Sequence, residues 1–204
     1  SEYPNPKMRG LGVYFAPQCI TLYEKPSLDS EIIEIIKYGY AVRQLASKTG
    51  ETTNPENVYI SFYPYKKIAL MTVVNEIPGW VMVTYDHKNN LAGWIYLKDA
   101  EAKSEYNRHV GKFYTWFEFV RFIAKRKGIY YLKGVPDEYK QLKANSEDEA
   151  KVVYENFTHI YSLIIKLVRG YWLLVKAKDF GATSPIGWIR WRDDDGNILV
   201  FCNF

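Results

Sequence analysis

Two related hairpins constrain this chain more than any other stretch. Gly79-Trp80-Val81-Met82-Val83-Thr84-Tyr85 is followed by a short polar loop and then by Gly93-Trp94-Ile95-Tyr96-Leu97-Lys98-Asp99. Much later, Tyr171-Trp172-Leu173-Leu174-Val175-Lys176-Ala177, another polar loop and Gly187-Trp188-Ile189-Arg190-Trp191-Arg192-Asp193 repeat the order. Each copy has an aromatic-aliphatic strand, a loop containing Asp86 or Asp179, and a Gly-Trp-Ile strand ending in Asp99 or Asp193. Self-similarity of this kind predicts a duplicated β module.

Length and composition fit two small modules. A chain of 204 residues buries a substantial core, and 48% hydrophobic with 25% charged residues is ordinary for a folded chain. The aromatic content is high, with eighteen Tyr, ten Phe and six Trp. Such residues favour half-buried pleated sheets and also make stacking surfaces for sugars, bases and peptides. The net charge of +4 comes with acidic residues mixed in almost everywhere, so no basic tract points to nucleic acid. No run approaches the roughly 18 apolar residues that span a bilayer, the longest being broken by Lys166, Arg169 and Lys176. The sequence begins Ser-Glu-Tyr-Pro, which fits a mature form from which a targeting segment has been removed. Cys19 and Cys202 either form one long-range disulfide or stay as two thiols, and spacing does not decide between these.

Along the chain, residues 1–12 read as an extended lead-in with Pro4, Pro6, Gly10 and Gly12. Strands are expected at Cys19 to Lys25, ending at Pro26-Ser27, at Glu31 to Lys37, and at Ala41 to Ser47. Val58 to Tyr65 and Lys67 to Val74 are two further β-type runs before the first tryptophan hairpin, which turns at Asp86 to Asn90. This first module spans 13–100. Over 101–128 the pattern changes: Phe113, Trp116, Phe117, Val120, Ile123 and Ala124 fall three and four apart, predicting a linking helix with Lys125, Arg126 and Lys127 in its last turn and Gly128 as its cap. That helix packs between modules or, in the sharper alternative, serves as a basic amphipathic anchor. The second module, 129–204, opens with a strand from Gly128 to Lys133 and is punctuated by Val135-Pro136-Asp137. Ser146 and Glu149 are spaced as a capping box for a short helical turn, and His159 to Arg169 is an apolar strand run. A last hairpin turns at Asp193 to Asn197 before Ile198 to Cys202.

Taken together, Leu22-Tyr23-Glu24-Lys25-Pro26-Ser27, Ile32 to Gly39, Gly79-Trp80-Val81-Met82-Val83 and Gly93-Trp94-Ile95 resemble the bacterial SH3 domain. The resemblance covers most of residues 13 to 100, with Thr49 to Asn75 longer than the family needs. The second module matches through Tyr171-Trp172-Leu173-Leu174-Val175 and Gly187-Trp188-Ile189, and its first half, with Val135-Pro136-Asp137, departs from the pattern. The resemblance implies a mainly β chain of two SH3-like open β-barrels joined by an α-helix. It further implies an extracytoplasmic recognition module of the bacterial envelope, binding peptidoglycan or a related cell-wall polymer or peptide.

Candidate chemistry is sparse. His87, His109 and His159 stand in unrelated contexts without metal-ligand spacing, and Cys19 precedes a strand rather than a helix start, so neither a catalytic constellation nor a metal site is expected. Asp193-Asp194-Asp195-Gly196-Asn197 fails the calcium-loop register, because counting back from Gly196 puts Trp191 at the first ligand position. Gly10-x-Gly12 lacks the third glycine of a phosphate cradle, and no cofactor is expected. Aromatic recognition remains. Trp80 and Trp94 with Tyr23, Tyr63 and Tyr65 line one expected groove, and Trp172, Trp188 and Trp191 its counterpart; the competing reading is that these tryptophans fill small cores. A partner-binding adaptor that self-associates through Phe113 to Ala124 is the second function class, and a cell-wall hydrolase the third.

Overall fold

The structure is a computed structural model that describes residues 2–39, 45–46, 52–99, 108–155, 162–178 and 183–204. Among the described residues strand accounts for 46% and helix for 14%, a mainly β structure, as the alternating and β-branched runs require. It divides into two compact units: a first module, Arg9–Trp116, and a second module that joins Ser1–Met8 to Phe117–Phe204.

In the first module the strands are β1 (Gly12–Phe15), β2 (Cys19–Tyr23), β3 (Ile32–Tyr38), β4 (Leu45–Ala46), β5 (Thr52–Thr53), β6 (Ser61–Tyr63), β7 (Ile68–Ile77), β8 (Trp80–Asp86), β9 (Leu91–Tyr96) and β10 (Phe113–Thr115). They pair antiparallel in the order β10-β1-β7-β8-β9-β2-β3-β4-β5, with β6 on the side of β7. The second module carries β11 (Ile129–Tyr131), β12 (Leu142–Lys143), β13 (Val152–Tyr154), β14 (Leu163–Arg169), β15 (Trp172–Ala177), β16 (Ile186–Arg190) and β17 (Val200–Cys202). Its order is β17-β11-β14-β15-β16-β12-β13. With β4, β5 and β6 set aside, the two paths are the same: last strand, first, fourth, fifth, sixth, second, third. No pairing closes either path into a barrel among the described residues.

The match extends to register. Ile77, Trp80 and Tyr96 lie side by side across β7, β8 and β9, as Arg169, Trp172 and Arg190 do across β14, β15 and β16. Both β7–β8 and β14–β15 shift register one step further in, between Val73 and Asn75 and between Ile165 and Leu167. Tyr23 pairs with Trp94, and Lys143 with Trp188. The turn after Tyr23 is closed by Glu24 N–H donating to Glu31 O at 2.9 Å, and the turn after Lys143 by Ala144 N–H donating to Lys151 O at 2.8 Å. Each Gly-Trp glycine has a packing reason. A Cβ at Gly93 would lie 3.1 Å from Leu22 Cβ, and one at Gly187 only 2.7 Å from Leu142 Cβ, so the crossing strand fits against bare backbone.

The core arises from strand alternation. Leu22, Val81, Val83 and Ile95 point inward with Tyr14, Ile36, Tyr59 and Met71 in the first module. Leu142, Leu173, Val175 and Ile189 are buried at the corresponding places in the second. A buried aliphatic side chain of this kind contributes about 1.5–3 kcal/mol.

Several expectations are corrected. The counterpart of the Pro26-Ser27 turn is Ala144 to Lys151, not Val135-Pro136-Asp137, and Ser146 and Glu149 sit in that turn rather than capping a helix. The linking helix expected within 101–128 starts only at Trp116, because Phe113–Thr115 pairs with β1 as β10. The helical run is α over Trp116–Glu118, π over Phe119–Ile123 and 3-10 over Ala124–Arg126. From Phe117 onward it belongs to the second module, where Phe119 stacks on Phe201 with ring centroids 5.3 Å apart. Gly128 takes the left-handed conformation, φ +76°, that a cap position demands. Val58 to Tyr65 is broken into a helical turn, Pro55–Val58, and the short β6. Residues 2–12 are more than an extended lead-in. Tyr3 N–H donates to Lys133 O at 2.6 Å, Glu2 bridges Lys133, Met8 is buried, and Gly12 opens β1. The strand expected at Ala41 to Ser47 lies largely, and His159 and Asp179 lie wholly, outside the described residues.

Candidate functional site

Since Val81 and Ile95 face the core, Trp80 and Trp94 face the other way, onto the outer side of the β8–β9 sheet. Neither belongs to the core cluster, yet Trp80 is only 8% and Trp94 only 7% exposed. Neighbouring rings cover Trp80: Tyr23 meets it edge-on at 5.5 Å and Tyr96 lies tilted at 4.9 Å. Three aromatic side chains from β2, β8 and β9 thus make one closed apolar plate.

At the corresponding place in the second module, Tyr23 and Tyr96 are replaced by Lys143 and Arg190. Trp172 is half-buried, with Lys143 Nζ 6.0 Å and Arg190 Cζ 5.9 Å from its ring centroid. Cation-π contacts of this kind are worth about 0.5–2 kcal/mol. A cavity of about 290 Å³ opens here, lined by Trp172, Lys143 and Arg190 together with Glu138, Asp148 and Asp194. The Arg190 side chain is 9% exposed. Its Nε donates to Arg192 O at 3.0 Å and its Nη1 to Asp194 Oδ1 at 2.8 Å, with Asp148 Oδ2 at 3.5 Å. Burial works against its charge, but the Asp194 and Asp148 carboxylates outweigh burial and hold it more firmly protonated than usual. Lys143 Nζ donates to the Asp148 carbonyl.

The remaining expected residues separate from these. Trp188 is buried beneath Arg169, whose Cζ sits 4.8 Å from its ring centroid. Trp191 is 1% exposed, its indole N–H donating to Gly170 O at 2.8 Å, so it is a core residue and not a groove wall. Tyr63 pairs with Ile68, whereas Trp80 pairs with Ile77 at the far end of the same strand. Tyr63 and Tyr65 therefore stand apart from the Trp80 plate, exposed, with Lys66 Nζ 5.7 Å from both rings. Tyr96 and Arg190 are not among the expected groove residues, although each stands two residues after a Gly-Trp tryptophan and so shares its face.

Nucleophile candidates are isolated. Cys19 is an exposed thiol and Cys202 a buried one, unbonded to each other, and burial pushes Cys202 up to about 12, leaving it a neutral thiol near pH 7. His109 Nδ1 lies 2.7 Å from the Tyr114 hydroxyl, and His87 sits in the β8–β9 turn. Among the described residues no group of three His, Cys, Asp or Glu is placed to hold a metal ion, and no helix is long and apolar enough to cross a membrane.

Comparison with protein-family models, with curated proteins and with solved structures finds no match to this chain.

Proposed function

We propose that the chain is a non-enzymatic binding protein of the bacterial cell envelope. In this reading two SH3-like modules recognise peptidoglycan, or a related cell-wall polymer or peptide, the second through the cavity at Trp172 and the first through the outer surface of the plate in which Tyr23 and Tyr96 cover Trp80. The SH3-like assignment draws support from a five-strand path, β10-β1-β7-β8-β9, continued by the β2–β3 hairpin and repeated in the second module. The observation that carries the binding reading is the cavity at Trp172, where a half-buried indole and fixed polar groups converge. A repeating polymer that reaches both modules gains affinity through effective concentration without any new contact. An extracytoplasmic location goes with such a ligand.

Co-sedimentation with purified, protein-free peptidoglycan at low salt tests the reading. Retention that falls on Trp172→Ala is the expected result, and recovery no greater than that of a control protein removes it.

A second reading, a partner-binding adaptor, draws on the exposed Phe117 and Phe122 of the helical run. It predicts a solution mass that rises with concentration and returns to that of a monomer in Phe122→Ser, as read by light scattering.

A further inference from the structure

We infer that the cavity beside Trp172 takes the zwitterionic head of an amino acid, or of a peptide residue carrying an ammonium and a carboxylate on one carbon, with its apolar tail laid along the indole. The inference rests on reading the Trp172 face as a ligand site and names the chemistry that face would hold.

The cavity is charged in both senses. Lys143 and Arg190 stand on its wall with Glu138, Asp148 and Asp194, so a purely anionic ligand meets three carboxylates and a purely cationic one meets two cations. A head that carries both signs within a few ångströms satisfies both sets. Arg190 is the preorganised element. Nε and Nη1 are tied to Arg192 O and Asp194, the side chain is nine-tenths buried, and among the described residues Nη2 makes no hydrogen bond. A guanidinium fixed by two bonds with a donor left over is a carboxylate anchor that is already ordered before the ligand arrives. Lys143, held over Trp172 and bonded to the Asp148 carbonyl, adds a second cation beside it. The Asp148 and Asp194 side chains are 60% and 84% exposed, so their outer oxygens stay open to an ammonium donor. Glu138 extends this acidic wall. The first module lacks the arrangement: tyrosines occupy the positions of Lys143 and Arg190, and their rings already cover Trp80.

Three probes of equal tail and different head decide it: norleucine, pentylamine and hexanoate, titrated into the full chain at neutral pH. The readout is the Trp172 indole N–H resonance, assigned with Trp172→Phe. Norleucine is expected to shift that resonance with an affinity at least tenfold above either single-charge probe. Lys143→Met, at a half-buried position, and Asp148→Asn, at an exposed one, should each weaken norleucine about tenfold, with the core Trp191 indole resonance unchanged as proof that the second module is folded. Equal affinity for hexanoate or pentylamine, a response at Trp80 instead of Trp172, or no response to any probe overturns the inference. Sedimentation with peptidoglycan separates it from the broader reading. A chain that binds the polymer and ignores norleucine loses only the zwitterion, and a chain that binds norleucine and ignores the polymer loses only the envelope ligand.

Discussion

Trp80 and Trp172 occupy the same position in two sheets of the same strand order, in surroundings of opposite chemistry. Tyr23 and Tyr96 seal the first indole, whereas Lys143 and Arg190 flank the second and leave a cavity beside it. The inward positions show no such change, since Leu22, Val81, Val83 and Ile95 correspond to Leu142, Leu173, Val175 and Ile189, all buried and aliphatic. The fold is carried by one face of the sheet, and the other face is thereby left to diverge.

The largest test of that division concerns a position where the rule bends. Leu97 and Trp191 come just after the two Gly-Trp strands, each donating its backbone N–H across the hairpin, to Gly79 O and Tyr171 O, at 3.0 Å. Leu97 is only partly buried, but Trp191 is 1% exposed. Trp191→Ala should cost the second module about 3–5 kcal/mol, and Leu97→Ala should cost the first about 2 kcal/mol, near the low end for a leucine truncation. Hydrogen exchange resolved by segment is the suitable measurement, because two units need not unfold in one transition. Equal losses would show that the two modules use this position alike.

A smaller contrast comes from the strap of residues 2–8. The Tyr3 hydroxyl donates to Asp193, which also accepts from Asn197 N–H and Nδ2 at 2.8 and 2.9 Å. Burial would raise the Asp193 carboxyl, but these donors prevail and hold it below its usual range, while burial and Asp193 raise the Tyr3 phenol. Linkage sets the signs. Asp193 supplies stability above the unfolded carboxyl value of about 4 and loses it as pH falls through the depressed folded value; Tyr3 supplies stability below about 10 and loses it above. Tyr3→Phe should therefore destabilise the second module by about 1.5–3 kcal/mol at neutral pH, as expected for a hydrogen bond to a charged group. That gap should shrink in acid, and the first module should be indifferent throughout. Urea midpoints tracked through β14–β16 and β7–β9 across pH 2–9 would show it. A constant gap, or one shared by both modules, would dismiss the strap as a specific clamp.

The smallest contrast concerns the paired glycines. A Cβ at Gly187 would meet Leu142 Cβ at 2.7 Å and the Lys143 carbonyl at 3.1 Å, while one at Gly93 meets first the mobile end of Ile33, Cδ1 at 2.9 Å. Gly187→Ala should cost about 1–3 kcal/mol, in the range for overpacking, and Gly93→Ala about 1 kcal/mol or less. Thermal midpoints of the single variants rank them, and the reverse order would mean that the second module relaxes more easily.

Much of this was legible where periodicity and glycine act together. Gly93-Trp94-Ile95 and Gly187-Trp188-Ile189 declare their strands because a bare backbone, an outward indole and an inward aliphatic come in fixed order. The first half of the second module did not declare itself. β12 is two residues long, Leu142–Lys143, and its place is fixed by backbone bonds from Ala144 and by contact with Gly187, neither of which depends on a side-chain signature. Without that alignment Lys143 had no counterpart to Tyr23. Arg190 was hidden for another reason: an arginine reads as surface, and only Asp148 and Asp194, distant from it or on the next turn, make its burial tolerable. Trp191 misled in the opposite sense, since a tryptophan beside two others invites a groove although its indole N–H is engaged by Gly170.

The strap also bears on the order of assembly. Residues 2–8 are synthesised long before Lys133 and Asp193, the partners that hold them, and the first module lies between. Left as a flexible chain, that intervening stretch would impose on the strap a loop closure of about a hundred residues. Once the first module has folded, β1 and β10 run side by side, with Gly12 opposite Thr115, and the closure from Tyr3 to Lys133 falls from 130 residues of chain (133 − 3) to 27, the 9 up to Gly12 (12 − 3) and the 18 after Thr115 (133 − 115). A shortening of the effective loop by about fivefold removes about 1.4 kcal/mol of closure entropy. Folding of the early module thus lowers the barrier for the late one to recover the first-made residues, coupling the two in time through chain connectivity.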